Sequence, residues 1–179
     1  MADIHIRPAV ATDLPQLMDM DHSGSSDYVW QLDLQKEPGQ VVAVLRQVRL
    51  PRTVQIAYPR DPRSLADEWG HQAGMLVAVS GDSPVGYICL AEQRPSAIAW
   101  ATDLAVAPAL RQQGVGSSLV LEAQAWAAEC GHRRIILEMQ SKNEAAIRLA
   151  QKLGYEFCGY NDQYYTTQDV ALFFGRALK

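Results

Sequence analysis

Apolar positions alternate over residues 3–8, which predicts a short opening strand. Thr12 stands where it would cap a helix over T-D-L-P-Q-L-M-D-M-D, with Pro15 in the first turns, where a missing N–H is tolerated. Residues 21–39 read as irregular, from the polar His22, Ser23, Gly24, Ser25 and Ser26 to a turn at Pro38-Gly39. A β-branched run over 41–48 predicts a strand, and Y-P-R-D-P-R at 58–63 breaks the chain before a short helix around 64–71.

The second half has sharper periodicity. Apolar runs at 75–79 and 84–90, separated by S-G-D-S, predict a hairpin, and 97–106 predicts a third strand. Residues 115–128 place Val115, Leu119, Val120, Ala123 and Ala127 on one helical face, closed by Gly131. A strand over 134–139, a helix over 143–153 closed by Gly154, and strands over 155–160 and 170–177 follow. The order is meander, helix, strand, helix, strand, strand, so the expected class is α/β or α+β, a mixed sheet with helices on its faces. With no repeat or linker, residues 1–179 read as a single domain.

Charge narrows the partners. Sixteen basic residues stand against 20 acidic, for a net charge of −4; a nucleic-acid module would carry a basic excess to neutralise phosphates. The start M-A-D-I-H-I-R has no leader-like pattern, and no apolar stretch reaches the roughly 18–20 residues of a membrane span. Cys89, Cys130 and Cys158 have no paired spacing and read as buried free thiols, pointing to a reducing cytoplasmic compartment.

The chemistry concentrates after Ala107. In D-L-A-V-A-P-A-L-R-Q-Q-G-V-G-S-S-L-V, Arg111, Gln112, Gln113, Gly114, Val115 and Gly116 lead into a helix N-terminus. Successive backbone N–H groups and the positive end of the helix dipole there suit a phosphate or pyrophosphate. A Walker loop is excluded, because Ser117 follows Gly116 where lysine would be needed. A dinucleotide fold is a poor match, because Leu119 replaces its third glycine. Two glycines at a helix start can also be only a tight turn.

R-Q-Q-G-V-G resembles the R/Q-x-x-G-x-G/A signature of the GNAT N-acetyltransferases. The likeness extends over about 98–175, through L-E-M-Q and N-E-A-A-I-R-L-A-Q-K-L-G-Y. S-S-D-Y-V-W-Q-L-D, L-E-M-Q and D-V-A-L-F-F resemble the streptothricin acetyltransferase branch; L-E-M-Q-S-K-N is also similar to ribosomal-protein N-terminal acetyltransferases. The resemblance implies a strongly twisted mixed sheet with helices on both faces and acetyl-coenzyme A, a cosubstrate with no metal, in a cleft between two parallel strands. It implies that backbone at Leu104, Ala105 and Val106 pairs with the pantetheine arm. The loop from Arg111 to Gly116 would hold the pyrophosphate, and Asn143 would contact the arm or order its surroundings.

Such a transfer needs a proton taken from the amine and one given to the thiolate. Glu138, inside the apolar run I-I-L-E-M, is the expected base; the structural alternative is an ion pair with Arg134 or Lys152. Asp103 is the second choice: period-two alternation sets it, with Ala101 and Ala105, on the face opposite Trp100, Thr102, Leu104 and Val106. The resemblance, in which strand bases often carry the parity of Thr102, implies a structural role for it. Ala150 stands where many relatives place an acidic tyrosine, leaving Tyr160, Tyr164 or Tyr165 as replacements, with Tyr164 chosen. Asp67 and His71 make no metal set, His132 reads as a helix-end cation, His5 and His22 lack partners, and Trp126 reads as core. Trp30 with Asp27, Tyr28 and Asp33 could line an acceptor pocket or anchor a loop. The expected reaction is acetyl transfer to a small cationic or antibiotic amine. The alternatives are transfer to a peptide N-terminus or lysine, and a non-catalytic acyl-coenzyme A sensor suggested by Ala150. Nucleic acid and membrane are not expected partners, and a homodimer is one option for assembly.

Overall fold

The computed structural model describes residues 4–93 and 96–179. The opening strand β1 (Ile4–Pro8) matches the alternation, with Asp3 outside the described residues. The cap is not Thr12. Helix α1 (Leu14–Asp19) follows a short 3-10 turn whose end is held by Asp13, which accepts from the Val10 N–H at 2.9 Å and pairs with Arg7 at 2.7 Å. Aspartate satisfies an orphan amide as a threonine could, and its charge also recruits a cation, which a threonine cannot do.

The segment read as irregular is a strand. β2 (Gly24–Glu37) and β3 (Gln40–Ile56) form a two-stranded antiparallel ribbon around the Pro38-Gly39 turn, with a register shift between Ser26 and Tyr28. Gly39 supplies the positive φ (+77°) that the turn needs. The short helix α2 (Leu65–Glu68) follows.

Strands β4 (Gly74–Ser80), β5 (Ser83–Gln93) and β6 (Ile98–Val106) run antiparallel as the predicted meander. Helix α3 (Val115–Glu129) crosses over to β7 (Arg134–Gln140), and α4 (Glu144–Lys152) precedes the hairpin of β8 (Glu156–Asn161) and β9 (Ala171–Ala177). The seven-stranded sheet has the order β1-β4-β5-β6-β7-β9-β8, mixed because β6 and β7 are parallel.

Helices cover both faces. On one, Val115, Leu119, Val120, Ala123 and Ala127 of α3 and Ile147 and Ala150 of α4 bury against Leu76, Ile88, Ile135 and Leu137. On the other, Leu14, Leu17 and Leu65 pack on Met75, Val77, Val79, Tyr87 and Cys89. Each large aliphatic side chain fully buried this way contributes roughly 1.5–3 kcal/mol. Gly74 lets Trp126 close over the sheet, since a Cβ there would lie 2.9 Å from the indole. Cys89 is buried, but Cys130 and Cys158 are exposed free thiols, against the sequence expectation. His132, just past the end of α3, is buried, with Nε2 3.3 Å from Glu92 Oε1.

Two irregularities mark where β6 and β7 part. The parallel pairing of β6 with β7 covers Ile98–Ala101 against Arg134–Leu137 and ends there, so Leu104, Ala105 and Val106 are strand-paired only to β5. A β-bulge at Thr102 shifts the β5–β6 register between Cys89↔Asp103 and Leu90↔Ala101. One extra residue reverses which face each later side chain meets. Ala99 and Ala101 therefore pack under α3, while Ala105 packs under α1.

Candidate functional site

The first part of the site is the glycine loop. After a 3-10 turn at Pro108–Leu110, Gln112 and Gly114 take positive φ (+61° and +92°), and α3 begins at Val115. No side chain caps α3, so the first-turn amides of Val115, Gly116 and Ser117 have no intrahelical acceptor. No atom lies within 4 Å of where a Gly114 Cβ would sit, leaving the loop open to an anion. Those features fit a pyrophosphate, and the unpaired edge of β6 at Leu104, Ala105 and Val106 fits a chain bearing amides, such as pantetheine.

Three of the expected site residues have partners within the protein. Arg111 turns away from the loop mouth: Nε donates to Val106 O (2.8 Å), Nη1 to Ser23 O (2.6 Å) and Nη2 to Asp21 O (2.9 Å). It is a clamp between the end of β6 and the start of the ribbon. Gln113 donates to Ala109 O at 2.8 Å. Asn143 caps α4, its Oδ1 accepting from the Ala146 N–H at 3.1 Å.

The second part is a cluster of charge and phenols where β6 and β7 separate. Glu138 sits one residue past the last parallel pair, and Asp103 two residues past it, just beyond the bulge. Their side chains are 2% and 7% exposed. Both lie against Arg60: Nη2 is 2.5 Å from Glu138 Oε1 and Nη1 is 3.3 Å from Asp103 Oδ1. Arg60 Nη1 also donates to the bulge carbonyl of Thr102 at 2.9 Å, and the guanidinium lies 5.6 Å from the Tyr165 ring centroid. Burial alone would disfavour its charge, but Asp103 and Glu138 outweigh that and hold it more firmly protonated than usual.

Phenols complete the cluster. Tyr164 donates to Glu138 Oε2 at 3.1 Å, so the expected base and acid residues are neighbours. Burial first, then the Glu138 charge, raises the pKa of the Tyr164 hydroxyl. On the other side, Tyr58 makes a very short hydrogen bond to Asp103 and lies 3.3 Å from the Tyr87 hydroxyl, which is 3.1 Å from His22 Nε2. Burial first, and then Asp103, pushes Tyr58 far above its ordinary value, so it remains a proton donor.

Period-two parity set Asp103 apart; the bulge instead brings it to the same guanidinium as Glu138. Glu138 pairs with neither Arg134 nor Lys152 but with Arg60, 78 residues earlier. Tyr58 and Arg60 carried no periodic signal, and their only trace was the Y-P-R-D-P-R break that contains them; Tyr87 lay inside the predicted strand run 84–90, which gave no sign of its hydroxyl's partners.

Other expected groups lie elsewhere. Trp30 Nε1 donates to Glu144 Oε2 at 2.9 Å, fixing the ribbon on α4, and Arg148 stands 5.7 Å over Tyr28. Asp27 accepts from Thr53, and Asp33 pairs with Arg46. Trp30 and Asp33 line a depression of about 640 Å³ with Ser141, Asp162 and Val170, and neither Asp103 nor Glu138 lines it. His71 Nδ1 meets the Asp67 backbone carbonyl, and no group of metal-ligating residues occurs among the described residues. Tyr160 packs on the main core, and Ala150 is fully buried in it. No helix among the described residues is long and apolar enough to cross a membrane.

Comparison with known proteins adds the family. A model described as the acetyltransferase (GNAT) family matches residues 33–155, more than half the chain. The streptothricin acetyltransferase of Streptomyces lavendulae is 35% identical over 63 residues, covering 35% of this chain and 33% of that protein; the match spans about a third of the relative's length. Among solved structures, a nourseothricin acetyltransferase superposes with a TM-score of 0.82 at 23% identity, over 98% of this chain and 99% of that one. A Bacillus anthracis protein solved with acetyl coenzyme A and assigned as a streptothricin acetyltransferase gives 0.75 at 22% identity, over 98% and 100%. The ribosomal-protein-S18-alanine N-acetyltransferase of Escherichia coli gives 0.69 at 17% identity, over 99% and 95%. At these identities the superpositions speak for the fold, and the matched family model carries the assignment: the chain belongs to the GNAT acetyltransferase family.

Proposed function

We propose that this protein transfers acetyl from acetyl-coenzyme A to the primary amine of a small cationic acceptor, of the kind the names of its streptothricin-acetylating relatives describe. The observation that carries the reading is the pair Asp103 and Glu138. Two nearly buried carboxylates share one guanidinium, leaving one negative charge among aromatic rings where β6 and β7 part. An ammonium is attracted to such a place by charge and by ring faces together.

The loop from Gln112 to Gly116 would bind the pyrophosphate through backbone amides, and the edge at Leu104, Ala105 and Val106 would bind the arm. The cosubstrate supplies the activated acetyl group. Glu138 is the group proposed to take a proton from the attacking nitrogen, and Tyr164, hydrogen-bonded to it, the group to hand one to the departing thiolate. Asn143 supports the site indirectly by fixing the start of α4.

The test is coenzyme A thiol release with streptothricin-type antibiotics, polyamines, lysine and short peptides as acceptors, run beside Glu138→Gln. Release that depends on a small cationic amine and falls about 10²-fold or more in the variant is expected. Release with peptides alone moves the acceptor to a protein N-terminus or lysine. Acetyl-coenzyme A binding with no release to any acceptor replaces the enzyme by a sensor. Full activity in Glu138→Gln removes Glu138 as the base.

A further inference from the structure

Acetylating an ammonium by a thioester liberates a proton. The nitrogen arrives with three; one stays on the amide, one ends on the coenzyme A thiol as the C–N bond forms and the C–S bond breaks, and one must leave. The carboxylates at the site are almost closed to water, with side chains 2% and 7% exposed. Arg60 stands between them, and a guanidinium does not give up a proton at working pH, so no proton passes from one carboxylate to the other through it. The site is therefore divided into two branches, Glu138 with Tyr164 and Asp103 with Tyr58.

The Asp103 branch continues. Tyr58 donates to Asp103, the Tyr58 and Tyr87 hydroxyls are 3.3 Å apart, and Tyr87 is 3.1 Å from His22 Nε2. His22 Nδ1 lies 2.6 Å from the Met20 carbonyl, which can only accept, so Nδ1 carries the hydrogen and neutral Nε2 is the acceptor. Four side chains thus enclose three gaps, with only the two phenolic hydrogens to fill them. One added proton completes the line. On Asp103 it gives Asp103→Tyr58→Tyr87→His22; moved to the far end it gives imidazolium→Tyr87→Tyr58→carboxylate. The two states differ only by each proton hopping along its own hydrogen bond.

We propose that Asp103, Tyr58, Tyr87 and His22 form a relay that carries the released ammonium proton from the reacting nitrogen to the partly exposed imidazole. The inference rests on the acetyl-transfer reading above. In each turnover Asp103 takes the first proton of the ammonium, the free amine attacks, and the proton shed on addition returns through Glu138 and Tyr164 to the thiolate. The imidazolium then loses one proton to water and returns to its Nδ1–H form, which resets the line for the next turnover. Asp103, Asp21 and Arg111 are the charged groups near the ring, with Tyr58 and Tyr87 against it. Burial, outweighing the Met20 bond and the two aspartates, keeps the imidazole neutral at neutral pH and ready to receive.

The test pairs an activity-free readout with kinetics. Long-range nitrogen NMR of the imidazole in the full chain is expected to show the Nδ1–H tautomer, with Nε2 shifted by Tyr87→Phe; an Nε2–H tautomer overturns the relay. In thiol-release assays, His22→Gln and Tyr87→Phe should each lower kcat at least tenfold, with KM for acetyl-coenzyme A unchanged. Both should abolish the acid limb of kcat that lies below pH 6.5 in the wild type, the ordinary imidazole value from which His22 is lowered. Transfer by the wild type with that limb intact in both variants overturns the relay alone. Absence of transfer by the wild type overturns the acetyltransferase reading instead, leaving the tautomer to decide the hydrogen-bonded line.

Discussion

Replacing Arg60 by methionine removes the only charge that the two carboxylates share in the described network, while keeping much of the apolar stem. Glu138 and Asp103, 2% and 7% exposed, would then be buried ions without their cation. Breaking a buried pair from one side costs about 3–5 kcal/mol, and the lower end applies because the Arg60 side chain is itself 27% exposed. In a chain of this length about 3 kcal/mol lowers the melting temperature by about 6–12 °C. Urea unfolding at pH 7 should show the loss as a lower midpoint at unchanged slope. Because each carboxylate can neutralise itself with a proton, the folded variant binds protons more tightly than its unfolded chain. Its deficit should therefore shrink as pH is lowered through the carboxylate range. Adding Asp103→Asn and Glu138→Gln to Arg60→Met should recover most of the loss. A deficit below about 1 kcal/mol, the scale of an exposed ion pair, would refute the picture of a desolvated cluster.

Tyr164→Phe should lower kcat for thiol release by no more than about 10²-fold, the low end for a positioned proton donor, because its 42% exposure lets water stand in; a change in KM alone would make it a binding residue. Gly114→Val puts a β-branched residue at φ +92°, a strain on the order of 1–3 kcal/mol, and titration calorimetry should show acetyl-coenzyme A affinity at least about tenfold weaker. Unchanged affinity would remove the loop from the phosphate site. Asp13 is held below its ordinary value of 3.8, chiefly by its hydrogen bond from Arg7, so its stabilisation is present above that value and lost as pH falls through the lowered one. Asp13→Asn should be less stable than wild type at pH 7, and the two should converge in acid; a pH-independent difference would assign the effect to the Val10 cap alone.

What was legible in the chain follows from the range of each interaction. The meander announces itself through continuous apolar runs, and α3 and α4 through a helical period, both signals written into consecutive residues. The glycine loop is similarly local. The ribbon strand β2 was obscured for a definite reason: Trp30, Leu32 and Leu34 do alternate with Gln31, Asp33 and Gln35, but a polar Ser-rich opening and the irregularity at Ser26 and Tyr28 precede them. The bulge at Thr102 is one residue long and has no composition of its own, so parity misplaced Asp103. Arg60 lies in a coil 42 to 78 residues from the groups it joins, and only the closed topology brings it there.

The seven-stranded sheet is mechanically two sub-sheets, since β6 and β7 are stitched along four residue pairs and no further. Asp103 belongs to the first half and Glu138 to the second, so Arg60 is a rivet across the unstitched end. Whatever widens that seam must stretch or break the rivet, and whatever breaks the rivet frees the seam to breathe. The width of the seam, the rigidity of the sheet and the spacing of the two acids are thus one variable rather than three. Amide exchange at Ala99 and Ala101 would be a gauge of it.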